Sequence, residues 1–291
     1  MKDMKSGTAT ASGLAAVIMW GLAPVATRAV VVQFGPLPLL VLRALLAAVV
    51  LLPWAVPVLR EGPRARLAVA GVLGMVGYNL PVAEGIHWIP ASTAALILAT
   101  EPVWILALGR LLAGECVAPG AWLGSAIAIG GVALIAGPQF RSGGRVLAGM
   151  GLVLLGTVLF AGYTIALRPA TARHGAAAAT AASTVLGAVP YLALCPFVQL
   201  SALSGRPVTA WADLAFLAFG STVAGMVAWN MAVGKLGSTR AGLLLFLEPC
   251  AGVTGGVVLL GERLSGTALA GGAVVMAGVV IAWAAQRRVT S

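Results

Sequence analysis

Apolar windows of about 20 residues recur along the whole chain, each bounded by charges, glycines or prolines. A window of that length, wound as an α-helix, spans the hydrocarbon core of a bilayer. The pattern predicts ten helices, over about 9–32, 38–59, 67–88, 91–112, 119–136, 146–167, 176–200, 211–236, 239–260 and 265–285. A Phe34-Gly35-Pro36-Leu37-Pro38 turn separates the first two, and a short charged loop from Arg60 to Arg66 follows the second. The polar, glycine-rich stretch 137–145, GPQFRSGGR, reads as a linker between two halves. Lys2 and Lys5 precede the first window as they would in a signal peptide, but that window is too long and too many like it follow. It reads as the first membrane helix.

Stretch 94–115 returns as 241–262, with nine identities over 22 aligned positions. Glu101-Pro102 matches Glu248-Pro249 and Gly114-Glu115 matches Gly261-Glu262, both at a spacing of 147 residues. Leucine- and alanine-rich helices align easily by chance, so these two pairs at one shared separation carry the repeat. The domains expected are a five-helix repeat at 1–136, the 137–145 linker and a second five-helix repeat at 146–288. Five helices per repeat make the second enter the membrane in the opposite sense. The fold class expected is therefore an all-α integral membrane protein of ten transmembrane helices, arranged as two inverted five-helix repeats.

Composition agrees with the pattern. Hydrophobic residues make up 60% of the chain and charged residues 9%, with a mean hydropathy of +1.02. A soluble globule of 291 residues needs more polar surface than that. The net charge of +10 and pI of about 10.8 would suit nucleic acid. Here, however, the basic residues lie singly or in pairs between apolar runs, so the partner expected is the lipid bilayer and no nucleic acid. With the N-terminus in the cytoplasm, Lys2, Lys5, Arg60, Arg64, Arg66, Arg110, Arg168, Arg173, Lys235, Arg240, Arg287 and Arg288 fall inside. Only Arg141, Arg145, Arg206 and Arg263 fall outside, and Arg28 and Arg43 lie within helices. This bias predicts a multi-pass plasma-membrane protein with both termini cytoplasmic.

Other chemistries find little support. Cys116, Cys195 and Cys250 form no CxxC pair and have no histidine partner at metal spacing, so neither a disulfide framework, a metal site nor a cofactor is expected. There is no GxSxG, HExxH or P-loop, and His87 and His174 are predicted on opposite sides of the membrane, which argues against an enzyme.

Several residue groups resemble a known family. Tyr78-Asn79, Gly85-Ile86-His87-Trp88 and Ser92-Thr93-Ala94-Ala95-Leu96 up to Glu101-Pro102 look like the EamA-type repeat of the drug/metabolite transporter superfamily. Trp229-Asn230-Met231-Ala232, Lys235-Leu236-Gly237 and the leucine-rich run into Glu248-Pro249 and Gly261-Glu262 are similar to that family's second domain. Trp20-Gly21, Pro24, Arg28 and Arg43 also match. The resemblance implies a ten-helix carrier with a central cavity lined mainly by helices 1, 3, 4, 6, 8 and 9, moving small metabolites such as amino acids, often outward. A passive channel or lipid facilitator is the alternative.

Candidate site residues follow from the cost of polar groups in a bilayer. Glu84 has Met231 as its counterpart, so the repeat does not demand it. It reads either as a substrate or proton site or as half of an ion pair with Arg28 or Arg43. Glu101 and Glu248 precede Pro102 and Pro249 near mid-helix, where a missing backbone donor bends the helix, so a structural or gating role is expected. Glu115 and Glu262, at helix ends, read as capping or solvated. Asn79 and Asn230 are candidate cavity hydrogen-bonders or interhelical ties. Trp20, Pro24 and Arg28 share one stripe of the first helix. Tyr163 occupies a related place on the sixth, and Trp20 and Tyr163 join the substrate-contact candidates. Trp54, Trp88 and Trp283 read as interface anchors. Gly120, Gly124 and Ala128, with Gly271 and Gly272, allow close helix approach, either within the chain or in a homodimer through helices 5 and 10. The absence of clustered Lys and Arg inside the helices favours a small zwitterion or a neutral to cationic substrate over a polyanion.

Overall fold

The computed structural model describes residues 2–61, 64–114, 116–138, 144–199, 203–236, 244 and 247–290. These residues are helical, with short turns and no strand. Nine helices among them are long and apolar enough to cross a membrane: α1 Thr8–Phe34, α2 Pro36–Glu61, α3 Arg64–Trp88, α4 Ala91–Ala113, α5 Pro119–Ala136, α6 Gly144–His174, α7 Ala176–Phe197, α8 Val208–Trp229 and α10 Gly266–Gln286. Between the last two lies the shorter apolar helix α9, Glu248–Leu260. The first part of the ninth predicted helix and most of the predicted linker, with Glu115, lie outside the described residues. Large side chains such as Val49, Leu111, Leu112, Leu123, Val258 and Leu259 are exposed. A bilayer, and not water, is the solvent that suits such a surface.

The two parts of the chain on either side of 137–145 interlace instead of standing side by side. α5 packs on α10, α2 on α7, α1 on α8 and α9, and α3 on α6. Pairs of glycines let these backbones meet. A Cβ on Gly124 would lie 2.3 Å from the Ala282 nitrogen, and one on Gly278 would lie 2.4 Å from the Ala128 nitrogen. At Gly71 it would lie 2.2 Å from the Ser183 oxygen, and at Gly85 2.6 Å from the Gly149 oxygen. In a medium without a hydrophobic force between helices, such close packing is what holds them together. Gly124 and Gly271, which the sequence offers equally to a dimer, are occupied within the chain, while Gly120 faces Ala285 and Gly272 faces Leu96.

Helix α4 is more than kinked. It consists of Ala91–Leu98 and Glu101–Ala113, with a two-residue break at Ala99-Thr100. Glu101 and Pro102 open the second segment, where proline loses nothing because the first-turn amides have no helical partner, and where the carboxylate favours the positive helix end. Helix α9 begins the same way: Leu247 has φ −85° and ψ −14°, against −82° and −3° for Thr100. Both segments are 13 residues long. Both end on a left-handed glycine, Gly114 and Gly261, each with φ 66°, a conformation glycine adopts without strain.

Candidate functional site

Two helices facing the interior depart from α geometry. Val72–Tyr78 of α3 and Phe216–Ala224 of α8 are wound as π-helix, which redirects backbone carbonyls toward side chains. The Tyr191 hydroxyl of α7 donates to the Met75 oxygen at 2.7 Å, and Asn79 Nδ2 donates to the Gly74 oxygen at 2.9 Å. On α8, Trp20 Nε1 of α1 donates to the Ser221 oxygen at 2.9 Å, and the Thr222 hydroxyl donates to the Leu217 oxygen at 2.8 Å. Tyr163 packs over Gly74 and Trp20 over Gly225, where a Cβ would meet either ring at 2.8 Å.

Between these windings lies a cavity of about 930 Å³, within the range of small-molecule sites. Its wall includes Trp20 and Pro24 of α1, Arg43 of α2, Tyr78 and Asn79 of α3, Glu101 and Pro102 of α4, Phe160 and Tyr163 of α6, Thr222 and Trp229 of α8, and Glu248 and Pro249 of α9. The lining is mostly apolar and aromatic. Trp20 and Trp229 stack with ring centres 5.4 Å apart, and Phe160 bridges Tyr78 at 5.0 Å and Tyr163 at 5.5 Å.

Charged groups in this wall are unequally served. Glu101 is hydrogen-bonded to the Tyr78 hydroxyl. Glu248 is near enough for the two carboxylates to act on one another, yet it has no hydrogen bond among the described residues. Arg43 Nε donates to the Thr222 hydroxyl oxygen at 3.2 Å, and its terminal nitrogens have no partner among the described residues.

Most residues singled out from sequence meet here: Trp20, Arg43, Asn79, Glu101, Pro102, Tyr163, Glu248 and Pro249 all line the cavity. Glu84 is half-buried and does not, and no ion pair joins it to Arg28 or Arg43. The side chain of Asn230 lies outside the described residues, although its neighbour Trp229 is in the wall. Trp283, expected at the lipid interface, also lines the cavity, because α10 turns that face inward against α4. Tyr191, Thr222 and Phe160 escaped notice in the sequence, since a tyrosine, threonine or phenylalanine in an apolar helix carries no signal by itself.

The cavity reaches the end of the bundle where Arg168 and Ala172 of α6, Ala176 of α7 and Gln286 of α10 lie. At the other end the turn between α3 and α4 is clamped from two sides. Arg28 Nη1 of α1 donates to the Ile86 oxygen at 2.7 Å and to the His87 oxygen, at the negative end of α3. Glu262, in the connection from α9 to α10, accepts from the Ala91 nitrogen at 2.7 Å and the Ser92 nitrogen at 2.9 Å, at the positive end of α4. Each charge sits on the helix end of opposite sign, and both come from segments that are not adjacent in sequence to the turn. Glu262 is thus a capping residue, but of a distant helix.

Helices of bilayer length around an interior cavity with opposed charges define a polytopic membrane protein with a cavity between its helices. The chain belongs to the EamA-like transporter family, whose sequence profile matches twice, at residues 8–137 and 147–284. It is 31% identical over 284 residues to a probable terminal-alkyne amino-acid exporter of Streptantibioticus cattleyicolor, covering 96% of this chain and 94% of that one. It is 27% identical over 288 residues to a probable amino-acid metabolite efflux pump of Salmonella typhimurium, covering 92% of each. A solved crystal structure matches with a TM-score of 0.62 at 21% identity, over 98% of this chain and 99% of that one, which supports the fold.

Proposed function

We propose that this chain is a secondary transporter that exports small amino-acid-like metabolites, or amphipathic molecules of similar size, by alternating access. The observation that carries the reading is the cavity itself, where the terminal nitrogens of Arg43 and the carboxylate of Glu248, without a protein partner among the described residues, face an aromatic lining. A zwitterion with an apolar side chain complements all three features. The amino-acid exporter and efflux pump among its relatives support the same class.

Alternating access draws support from internal likeness. The segments opened by Glu101 and Glu248 share their length and both end conformations, and both π-wound helices receive a donor from the other half, Trp20 or Tyr191. In this reading two inverted repeats enclose the substrate path. The distribution of Lys and Arg puts both termini in the cytoplasm. The cavity then opens inward, and the Arg28–Glu262 clamp closes the outer face, as an exporter awaiting substrate requires. A clamp at one end also favours a carrier over a passive channel. A homodimer through α5 and α10 would use their outward faces, around Trp122, Leu123 and Leu269, since their glycines are engaged with each other.

Counterflow tests the reading. Proteoliposomes loaded with an unlabelled amino acid should accumulate the same labelled amino acid transiently above its outside concentration. Flux that does not saturate, or none for any proteinogenic amino acid, contradicts it.

A further inference from the structure

We propose that Arg43 selects substrates by their carboxylate, an inference that rests on the amino-acid reading above. Arginine inside a bilayer is costly and persists where it faces a partner or a path. Arg43 projects into the cavity wall from α2 beside Leu39 and Leu40, and among the described residues only its Nε is engaged. Thr222 holds that nitrogen in one orientation, because its hydroxyl proton already goes to the Leu217 oxygen and leaves the oxygen to accept from Arg43. The π winding of α8 therefore sets the direction of the guanidinium.

Candidate protein partners are committed elsewhere. Tyr191, which neighbours Arg43, gives its proton to Met75, and Glu101 is held by Tyr78. Among the described residues no carboxylate forms an ion pair with Arg43. An arginine that served only to tie α2 to α8 would need one donor and would leave the rest of its N–H groups idle in a largely apolar chamber. The planar fork they form matches a carboxylate in bidentate geometry, which an ammonium or an ester cannot reproduce. Tyr78 neighbours both Arg43 and the two glutamates, so acid-binding and base-binding groups stand in one chamber without neutralising each other. Glu248, without a hydrogen bond among the described residues, is then the counterpart for the substrate ammonium.

Thermal unfolding of the purified protein in detergent tests this, with each proteinogenic amino acid measured beside its methyl ester and its decarboxylated amine. The unaltered protein should be stabilised by at least one amino acid and far less by its ester or amine. R43Q should weaken that amino acid about 10- to 100-fold, the range for a lost charge-assisted bond, and bring acid, ester and amine within a few-fold of one another. T222V keeps the charge and should retain the preference for the acid. Should R43Q fail to fold, R43K decides: reduced selectivity supports the proposal, and full selectivity with lower stability overturns it. Undiminished selectivity in R43Q, or equal losses for acid and amine in R43Q and T222V alike, shows Arg43 to be a tie between helices. Absence of stabilisation by any amino acid in the unaltered protein instead removes the reading on which the proposal rests.

Discussion

The crossing of α5 with α10 and the pair of π-wound helices, α3 and α8, use the same small residues to opposite ends. At the crossing, Gly124, Gly131, Gly271 and Gly278 bring two backbones to contact with no room for a methyl group, and α5 contributes nothing to the cavity wall. In α3 and α8 the glycines Gly74 and Gly225 receive aromatic rings, and the backbone carbonyls nearby are held by the side chains of Tyr191 and Trp20. One region is backbone against backbone. The other is backbone against replaceable side-chain bonds, so close packing concentrates in the first and the polar groups that line the cavity in the second.

Neighbouring glycines on α5 give the sharpest way to break this comparison. Gly131→Val would force a Cβ to within 2.7 Å of the Val275 nitrogen and the Gly271 oxygen, and should cost about 3 kcal/mol or more or prevent folding. Gly130 meets nothing within 4 Å, and Gly130→Val should stay within about 0.5 kcal/mol. Unfolding temperature in detergent measures both.

The cavity should behave in the opposite way. Glu248→Gln, which changes a carboxylate without a hydrogen bond to lose among the described residues, should keep its unfolding temperature while reducing transport about 10-fold or more. Glu101→Gln preserves an acceptor for the Tyr78 hydroxyl and should reduce transport only a few-fold. Equal losses in initial uptake rate would erase the distinction drawn between the two glutamates. A smaller effect is expected where a side chain merely holds a π carbonyl. Tyr191→Phe leaves the Met75 oxygen unsatisfied and should cost about 1 kcal/mol of stability, seen as a modest fall in unfolding temperature.

Much of this frame was legible beforehand. The apolar windows located the nine long helices, with ends up to seven residues away at Gly144–His174 and Val208–Trp229, and the Glu-Pro and Gly-Glu pairs pointed to matching segments whose caps turn out alike. Pro102 announced a bend, but the complete interruption at Ala99-Thr100 depends on packing against α6 and α9 that no local pattern encodes. The π windings left no trace either, since VLGMVGY and FLAFGSTVA read as ordinary apolar turns. Glu84 drew attention as an acid that breaks the repeat, whereas the asymmetry at the cavity lies in partners: Tyr78 serves Glu101 and, among the described residues, nothing comparable serves Glu248. Partners are a tertiary property, and so was the distant role of Glu262.

The central claim, a path open at one end and locked at the other, is tested most directly by thiol accessibility. Thr164 lines the cavity on α6, and Thr164→Cys in a background lacking Cys116, Cys195 and Cys250 places one reporter in the chamber. A membrane-impermeant thiol reagent should modify it from the cytoplasmic side and hardly at all from outside. Adding Arg28→Ala with Glu262→Gln, which removes both halves of the clamp, should raise the outside rate several-fold. Equal modification from both sides with the clamp intact, or an outside rate that ignores its removal, would contradict the account.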